Sequence, residues 1–283
     1  MRKRAIWLLL CLALFLPGCG GTSQGRLANR GAAVASIRQG LREHARTITI
    51  SFDGSAEEFE ALNSLTDELV EEALEETEEA REGDYIRYQY GGYTRSSSIA
   101  GGRYTAILTP DYFCYLSEEE LAEAEAERLL REFSFSPETP ETEKLYTVYD
   151  WLCQNVSYDK VHRKNPYYRL KSTAYAALVS RTATCQGFCA ALYRLLRGCG
   201  ISCRIITGTA DGEDTLHAWV IAEAGGAYYN LDPAWDAGRA EYQWFLIGSR
   251  AFASHIPSAR FKDKAFTERY PISEESYRKE GSE

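Results

Sequence analysis

The sequence predicts an α+β fold, because blocks of helical and strand periodicity succeed one another without the regular βαβ alternation of a parallel sheet. Three observations carry this. Residues 47–52 (TITISF) alternate like a strand and lead into a long acidic stretch with helical spacing. Ala190, Ala191, Leu192, Leu195 and Leu196 fall on one helix face that Gly198 and Gly200 terminate. Residues 216–222 and 227–232 alternate like two strands around a glycine-containing turn.

Residues 1–19 read as an export leader: Arg2, Lys3 and Arg4 precede an apolar run over 5–16 that is too short to span a bilayer. The run ends Leu16, Pro17, Gly18, Cys19, which resembles a bacterial lipobox and implies a diacylated Cys19 as the new N-terminus, or else ordinary secretion. The expected location is the outer face of the cytoplasmic membrane, with a lipid anchor as the membrane partner. Residues 20–46 then read as a tether.

Net charge is −9, and about −12 once the three leader cations are gone. Phosphate binding needs clustered Lys and Arg, so nucleic acid is excluded as an expected partner. No internal repeat and no phosphate-cradling glycine loop after a strand is found.

A small α+β module is expected over 47–136. After the strand at 47–52, residues 56–81 form an acidic helix with Phe59, Leu62, Leu65, Leu69, Val70 and Leu74 on one face. Residues 85–90 and 103–109 read as strands flanking a Gly/Ser-rich loop at 91–102. Ser117 and Glu120 resemble a capping box opening a helix over 118–133. The tyrosines of 85–90 are read as sheet residues packed on helices, with an aromatic ligand surface as the alternative.

Pro137 and Pro140 mark the boundary, at 134–142, to a second domain over 137–283. Leu145, Val148 and Leu152 give a helix over 141–154, and 155–165 is polar and loop-like. This loop is a candidate cleft wall that brings Tyr158 or Gln154 near a nucleophile.

That nucleophile is Cys185. Thr184, a helix-capping residue type, places it in the first turn of the helix, where free backbone N–H groups and the positive end of the dipole favour thiolate. His217, Trp219 and Ile221 share one strand face, and Tyr228, Asn230 and Asp232 share another. A turn centred between Ala224 and Gly225 pairs His217 with Asp232, whereas one centred on Gly225 and Gly226 pairs Asp232 with Trp219. The first register suits a carboxylate that orients an imidazole beside a thiol.

Here the chain resembles the transglutaminase-like superfamily, which shares its core with papain-like thiol enzymes. The resemblance rests on Cys185, Gln186, Gly187, Phe188, Cys189 and Ala190; on His217, Ala218 and Trp219; and on the run from Tyr229 to Asp236 (YNLDPAWD). Weaker similarity at 149–159, 174–179 and 244–246 extends it to roughly the C-terminal half. Bacterial members carry glycine and a small apolar residue upstream of the nucleophile, where this chain has Arg181, Thr182, Ala183 and Thr184. The resemblance implies a nucleophile helix packed on an antiparallel sheet, with Cys185 as nucleophile, His217 as general base and acid, and Asp232 as orienting carboxylate. Gln186, Tyr158, Gln154, Trp219 and Trp235 are the oxyanion or cleft candidates, alongside the N–H of Cys185 itself.

Six cysteines remain outside the leader and Cys19: Cys114, Cys153, Cys185, Cys189, Cys199 and Cys203. Cys185 and Cys189 are one helical turn apart and poorly placed to bridge, while Cys199 and Cys203 flank a short turn that permits a disulfide. Cys185, Cys189, Cys199 and Cys203 are also a rival zinc set, weakened by lying partly inside a helix. His44, His162 and His255 have no companion motif and read as surface or structural residues, although His255 lies in a segment, 249–257, placed to cover the cleft. Trp244 reads as core or site lining, and Asp236 as a hydrogen-bonding anchor for the loop after Asp232.

The function that follows is acyl transfer through a thioester on Cys185, giving cross-linking when an amine accepts and hydrolysis when water does. A protein or peptide is the expected substrate, an envelope protein or wall peptide by location, and no cofactor is expected; some family members depend on calcium, but no acidic loop of the EF-hand type is present. The rival readings are a non-catalytic binding or envelope-assembly lipoprotein that keeps the fold, and an extracytoplasmic thiol oxidoreductase, which would want C-x-x-C spacing.

Overall fold

The computed structural model describes residues 24–53, 59–210 and 216–278. The leader and Cys19 lie outside the described residues, and among those described no helix is long and apolar enough to cross a membrane.

The described residues open with α1 (Gln24–Arg42), so much of the expected tether is helix. Ala33, Val34, Ile37 and Leu41 recur at helical spacing and are buried, which anchors this segment in a core rather than leaving it solvated. Next come β1 (Ile48–Asp53), α2 (Phe59–Ala73), α3 (Asp84–Arg87), β2 (Tyr90–Ala100) and β3 (Arg103–Tyr112). The strands form an antiparallel sheet in the order β1-β3-β2, whose inner residues Ile48, Ile50, Tyr104, Ala106 and Leu108 pack with α1 and α2.

Two expectations are corrected here. The Gly/Ser stretch expected as a loop is largely strand β2, because β3 supplies a continuous partner and Gly101 and Gly102, both at positive φ, close the hairpin in two residues. The strand expected at 85–90 is instead the short helix α3, fixed by buried Asp84, which accepts from Arg204 Nε at 2.8 Å and Arg204 Nη2 at 3.1 Å. A buried ion pair outweighs an alternation pattern.

The second half contains α4 (Leu116–Phe133), α5 (Glu141–Asn155), β4 (Ser157–Tyr158), α6 (Ala174–Leu178), β5 (Thr182–Ala183) and α7 (Cys185–Gly198). Helix α4 starts two residues before the expected position, and Glu118 rather than Glu120 reaches back to an amide, that of Tyr115, at 2.7 Å. Strands β6 (Cys203–Ala210), β7 (Leu216–Ala224), β8 (Ala227–Leu231) and β9 (His255–Pro257) form an antiparallel sheet in the order β8-β7-β6-β9. Helices α8 (Pro233–Asp236) and α9 (Lys264–Arg269) follow β8 and β9 respectively.

Helix α7 is buried along most of its length, and Ile205, Ala218, Val220, Ala222 and Leu231 from one sheet face belong to its core. The other face carries Ile206, Trp219, Ile221 and Tyr228, covered by Phe252, Phe261 and Tyr270. Ala122, Ala126 and Leu129 of α4, and Tyr85 before it, belong to the same core as α5 and α7. The boundary expected at 136–137 therefore does not separate two cores: the loop is present, but the helix before it packs with the helices after it.

Candidate active site

Helix α7 opens at Cys185, with Thr184 as the N-cap residue in extended conformation. The expected hydroxyl cap is absent, since Thr184 Oγ1 donates instead to the Lys171 carbonyl at 3.3 Å. Gly187 allows the helix start to sit close to its support: a Cβ there would lie 2.8 Å from the Lys171 carbonyl oxygen, 2.9 Å from the Thr173 carbonyl oxygen and 2.9 Å from Ala183 Cβ. Residue Cys185 is partly exposed while Cys189, one turn on, is fully buried.

His217 stands on β7, and its register differs from the one that pairs it with Asp232. Gly225 and Gly226, at φ +60° and +84°, form the two-residue turn, Ala224 pairs with Ala227, and Val220 pairs with Leu231. Continuing the ladder sets Asp232 beside Trp219. The shift is two residues, so both side chains stay on one face, and His217 reaches Asp232 diagonally. Its Nε2 donates to Asp232 Oδ2 at 2.7 Å.

Asp232 is fully buried and caps α8, its Oδ1 accepting from the Ala234 and Trp235 amides at 3.1 Å each. Its Oδ2 also accepts from His255 Nε2 at 3.1 Å. His255 is thus the site residue that sequence reasoning missed; position in the covering segment 249–257 was its only signal. Strand β9 brings it in by pairing with β6, and Gly208 permits the approach, since a Cβ there would lie 2.0 Å from the Ile256 carbonyl oxygen.

Burial works against the imidazolium of His217, but hydrogen bonds to Asp232 and to Cys185, and the charges behind them, push its pKa up to about 10. Asp232 is held below the usual carboxylate range although burial opposes this, because His217 and His255 both donate to it. The imidazole therefore lies between a thiol and a carboxylate and is biased toward its protonated form. Such an arrangement can hold a thiolate–imidazolium pair.

The other candidates separate. Tyr158, on β4, is carried to the nucleophile by the parallel pairing of β4 with β5, which ends two residues before Cys185. Burial, then the neighbouring Cys185, pushes its phenol up to about 12, so it remains an O–H donor at neutral pH. Trp235 is half-buried, with its ring centroid 5.3 Å from that of His217 and 4.4 Å from that of His255. Trp219 is core: it is buried, and its Nε1 donates to Asn230 Oδ1 at 3.2 Å. Gln186 turns away, donating its amide to the Tyr88 carbonyl. Gln154 Nε2 donates to the Arg239 carbonyl at 3.1 Å and to Tyr242 Oη at 2.9 Å. Both glutamines are tied to structural partners.

Asp236 anchors the following loop by accepting from Tyr149 Oη at 2.7 Å and from the Gln243 and Trp244 amides at 3.0 and 2.8 Å. All six cysteines are free, so the permitted Cys199–Cys203 bridge is not formed; Cys199 Sγ donates instead to the Leu195 carbonyl at 3.1 Å. Among the described residues, the helix cysteines do not form one of the His/Cys/Asp/Glu groups close enough to share an ion.

Residues 128–233 match the Transglutaminase-like superfamily model, so this stretch, which holds Cys185, His217 and Asp232, is a transglutaminase-like domain. The fold around it is mixed helix and strand with a transglutaminase-like core. Two solved structures are similar to the chain. One is a TGase, 14% identical with a TM-score of 0.35, where the match covers 70% of this chain and 53% of that one. The other is a candidate cysteine protease from Cytophaga hutchinsonii, 15% identical with a TM-score of 0.34, covering 58% of this chain and 65% of that one. The chain thus spans less than two thirds of either structure. No curated protein matches the sequence.

Proposed function

We propose that the chain is a cysteine acyl-transfer enzyme acting on amide or peptide substrates. The observation that carries this reading is His217 on β7, hydrogen-bonded to the buried Asp232 at 2.7 Å and facing Cys185 at the N-terminus of α7.

In the reaction, the Cys185 thiolate attacks the substrate carbonyl carbon, and the tetrahedral oxyanion is met by the Cys185 N–H, with the Tyr158 hydroxyl as second donor. The C–N bond then breaks, His217 gives its proton to the departing amine, and an acyl thioester remains. Water or an amine attacks that thioester with His217 taking its proton, and Cys185 leaves as thiolate. Atoms balance as hydrolysis or as exchange of one amine for another. Asp232 stays ionised throughout and fixes the His217 ring so that the nitrogen opposite Nε2 faces the sulfur. The substrate is a protein or peptide. We place the enzyme outside the cytoplasmic membrane, lipid-anchored through Cys19, on the strength of the leader at 1–19.

The test is the rate of iodoacetamide alkylation at each cysteine at neutral pH, read by peptide mass spectrometry in the wild type and in His217→Ala. Cys185 is expected to react about tenfold or more faster than the rest, and to lose that advantage in the variant. Equal rates, or indifference of Cys185 to His217 in folded protein, would overturn the catalytic reading and favour a binding protein that keeps the fold.

A further inference from the structure

Away from the Cys185 site, three segments distant in sequence bring together an imidazole, a thiol and a carboxylate. His44 follows α1, Cys114 lies in the turn after β3, and Glu119 stands in the first turn of α4; one ligand atom from each lies within 4.8 Å of the others. Cys114 and Glu119 are buried and His44 is partly so. No two of the three share a short motif, so the sequence gives no sign of the group.

His44 Nε2, the ring nitrogen turned toward Cys114, has only a long contact, 3.8 Å, to its Sγ. Two ligands at about 2.3 Å (sulfur) and about 2.0 Å (nitrogen) on a tetrahedral zinc ion are about 3.5 Å apart, close to that contact. His44 ends α1 in the left-handed conformation common at helix C-termini, φ +52°, and its ring lies tilted against Tyr112 with centroids 4.2 Å apart.

Tyr85 Oη donates to Glu119 Oε1 at 2.8 Å, orienting the carboxylate and leaving Oε2 free. A cavity of about 20 Å³ bordered by His44, Glu119, Tyr85, Arg42 and Arg81, though not by Cys114, has room for one water beside the imidazole and the carboxylate. The charged groups facing the site are Arg42, Arg81, Glu118 and Glu119, with Glu123 and Arg194 beside Glu119.

We propose that His44, Cys114 and Glu119 form a zinc site with its fourth position open to water. The ion fastens the end of α1 and the turn after β3 to the first turn of α4. Binding exchanges waters of the hydrated ion for Cys114 Sγ, a His44 ring nitrogen and a Glu119 carboxylate oxygen, keeps one water, and releases the Cys114 proton to solvent.

The test uses the full chain, stripped of metal and titrated with Zn²⁺ and with Co²⁺. One zinc per chain is expected to survive gel filtration, and the Co²⁺ form is expected to show a thiolate-to-metal charge-transfer band, in the wild type and equally in Cys185→Ser. Cys114→Ser and His44→Gln are expected to weaken zinc binding at least about 100-fold, and Cys114→Ser to abolish the band. Absence of bound zinc and of the band in folded wild-type protein overturns the proposal. So does a band lost in Cys185→Ser, which assigns the metal to the Cys185 site; this arm stands even if the Cys114 and His44 variants fail to fold.

Discussion

At the residue scale, Asp232 carries more hydrogen bonds than an orienting carboxylate needs, because two histidines and two amides converge on it. This saturation keeps a fully buried carboxylate ionised, and the ionised carboxylate holds the His217 proton. Since the folded pKa of His217, about 10, is raised above an unfolded value near 6.5, its contribution to stability is complete below pH ~6.5 and is lost as pH rises through ~10. In an NMR titration, His217 of Asp232→Asn should move back toward the ordinary imidazole range, and turnover should fall about 10³- to 10⁴-fold. A wild-type His217 that titrates near 6.5 would contradict the thiolate–imidazolium pair.

At the element scale, β9 is short, yet it positions His255. Its seat beside β6 exists only because Gly208 lacks a side chain, the obstructing atom being the Ile256 carbonyl oxygen and therefore backbone. Gly208→Ala should push β9 away, lower stability by about 1–3 kcal/mol in a urea titration, and reduce turnover by removing one donor from Asp232. Unchanged stability together with unchanged activity would show that β9 is not needed at this site. Of the two glycine-closed hairpins, the one between β7 and β8 was legible as a hairpin from sequence. Its register was not, because Ala224, Gly225 and Gly226 permit two turn positions, and two residues of slip leave every side chain on its face.

At the scale of the whole molecule, the N-terminal sheet and the Cys185 core are joined by buried charge. Asp84 of α3 accepts from the Arg204 guanidinium and from the Ile205 amide at 2.8 Å, and Glu76 lies 3.2 Å from Arg204. Arg204 also sits 4.8 Å above the Tyr270 ring. Removing one member of a buried pair strands the other, so Asp84→Ala should cost about 3–5 kcal/mol in guanidinium unfolding, at the lower end because Glu76 remains. A loss below about 1 kcal/mol would mean that solvent reaches Arg204 when Asp84 is gone. Expecting two modules with a break near 137 followed from Pro137 and Pro140, which do mark a loop; loop residues report local chain direction, not which core a helix joins.

Readable from the order of residues alone were the α+β composition, the helix that begins at Cys185, the hairpin that bears His217, and the residue types that meet there. These are local properties: periodicity, glycine at positive φ, and a helix N-terminus act over a few residues. Packing of the folded chain set the rest: α4 lies with α5 and α7, residues 84–87 are helical, Gln186 and Gln154 face structural partners, and His255 shares Asp232. Each depends on contacts between residues far apart in the chain, where a single buried ion pair or hydrogen bond outweighs the small free energies of local propensity.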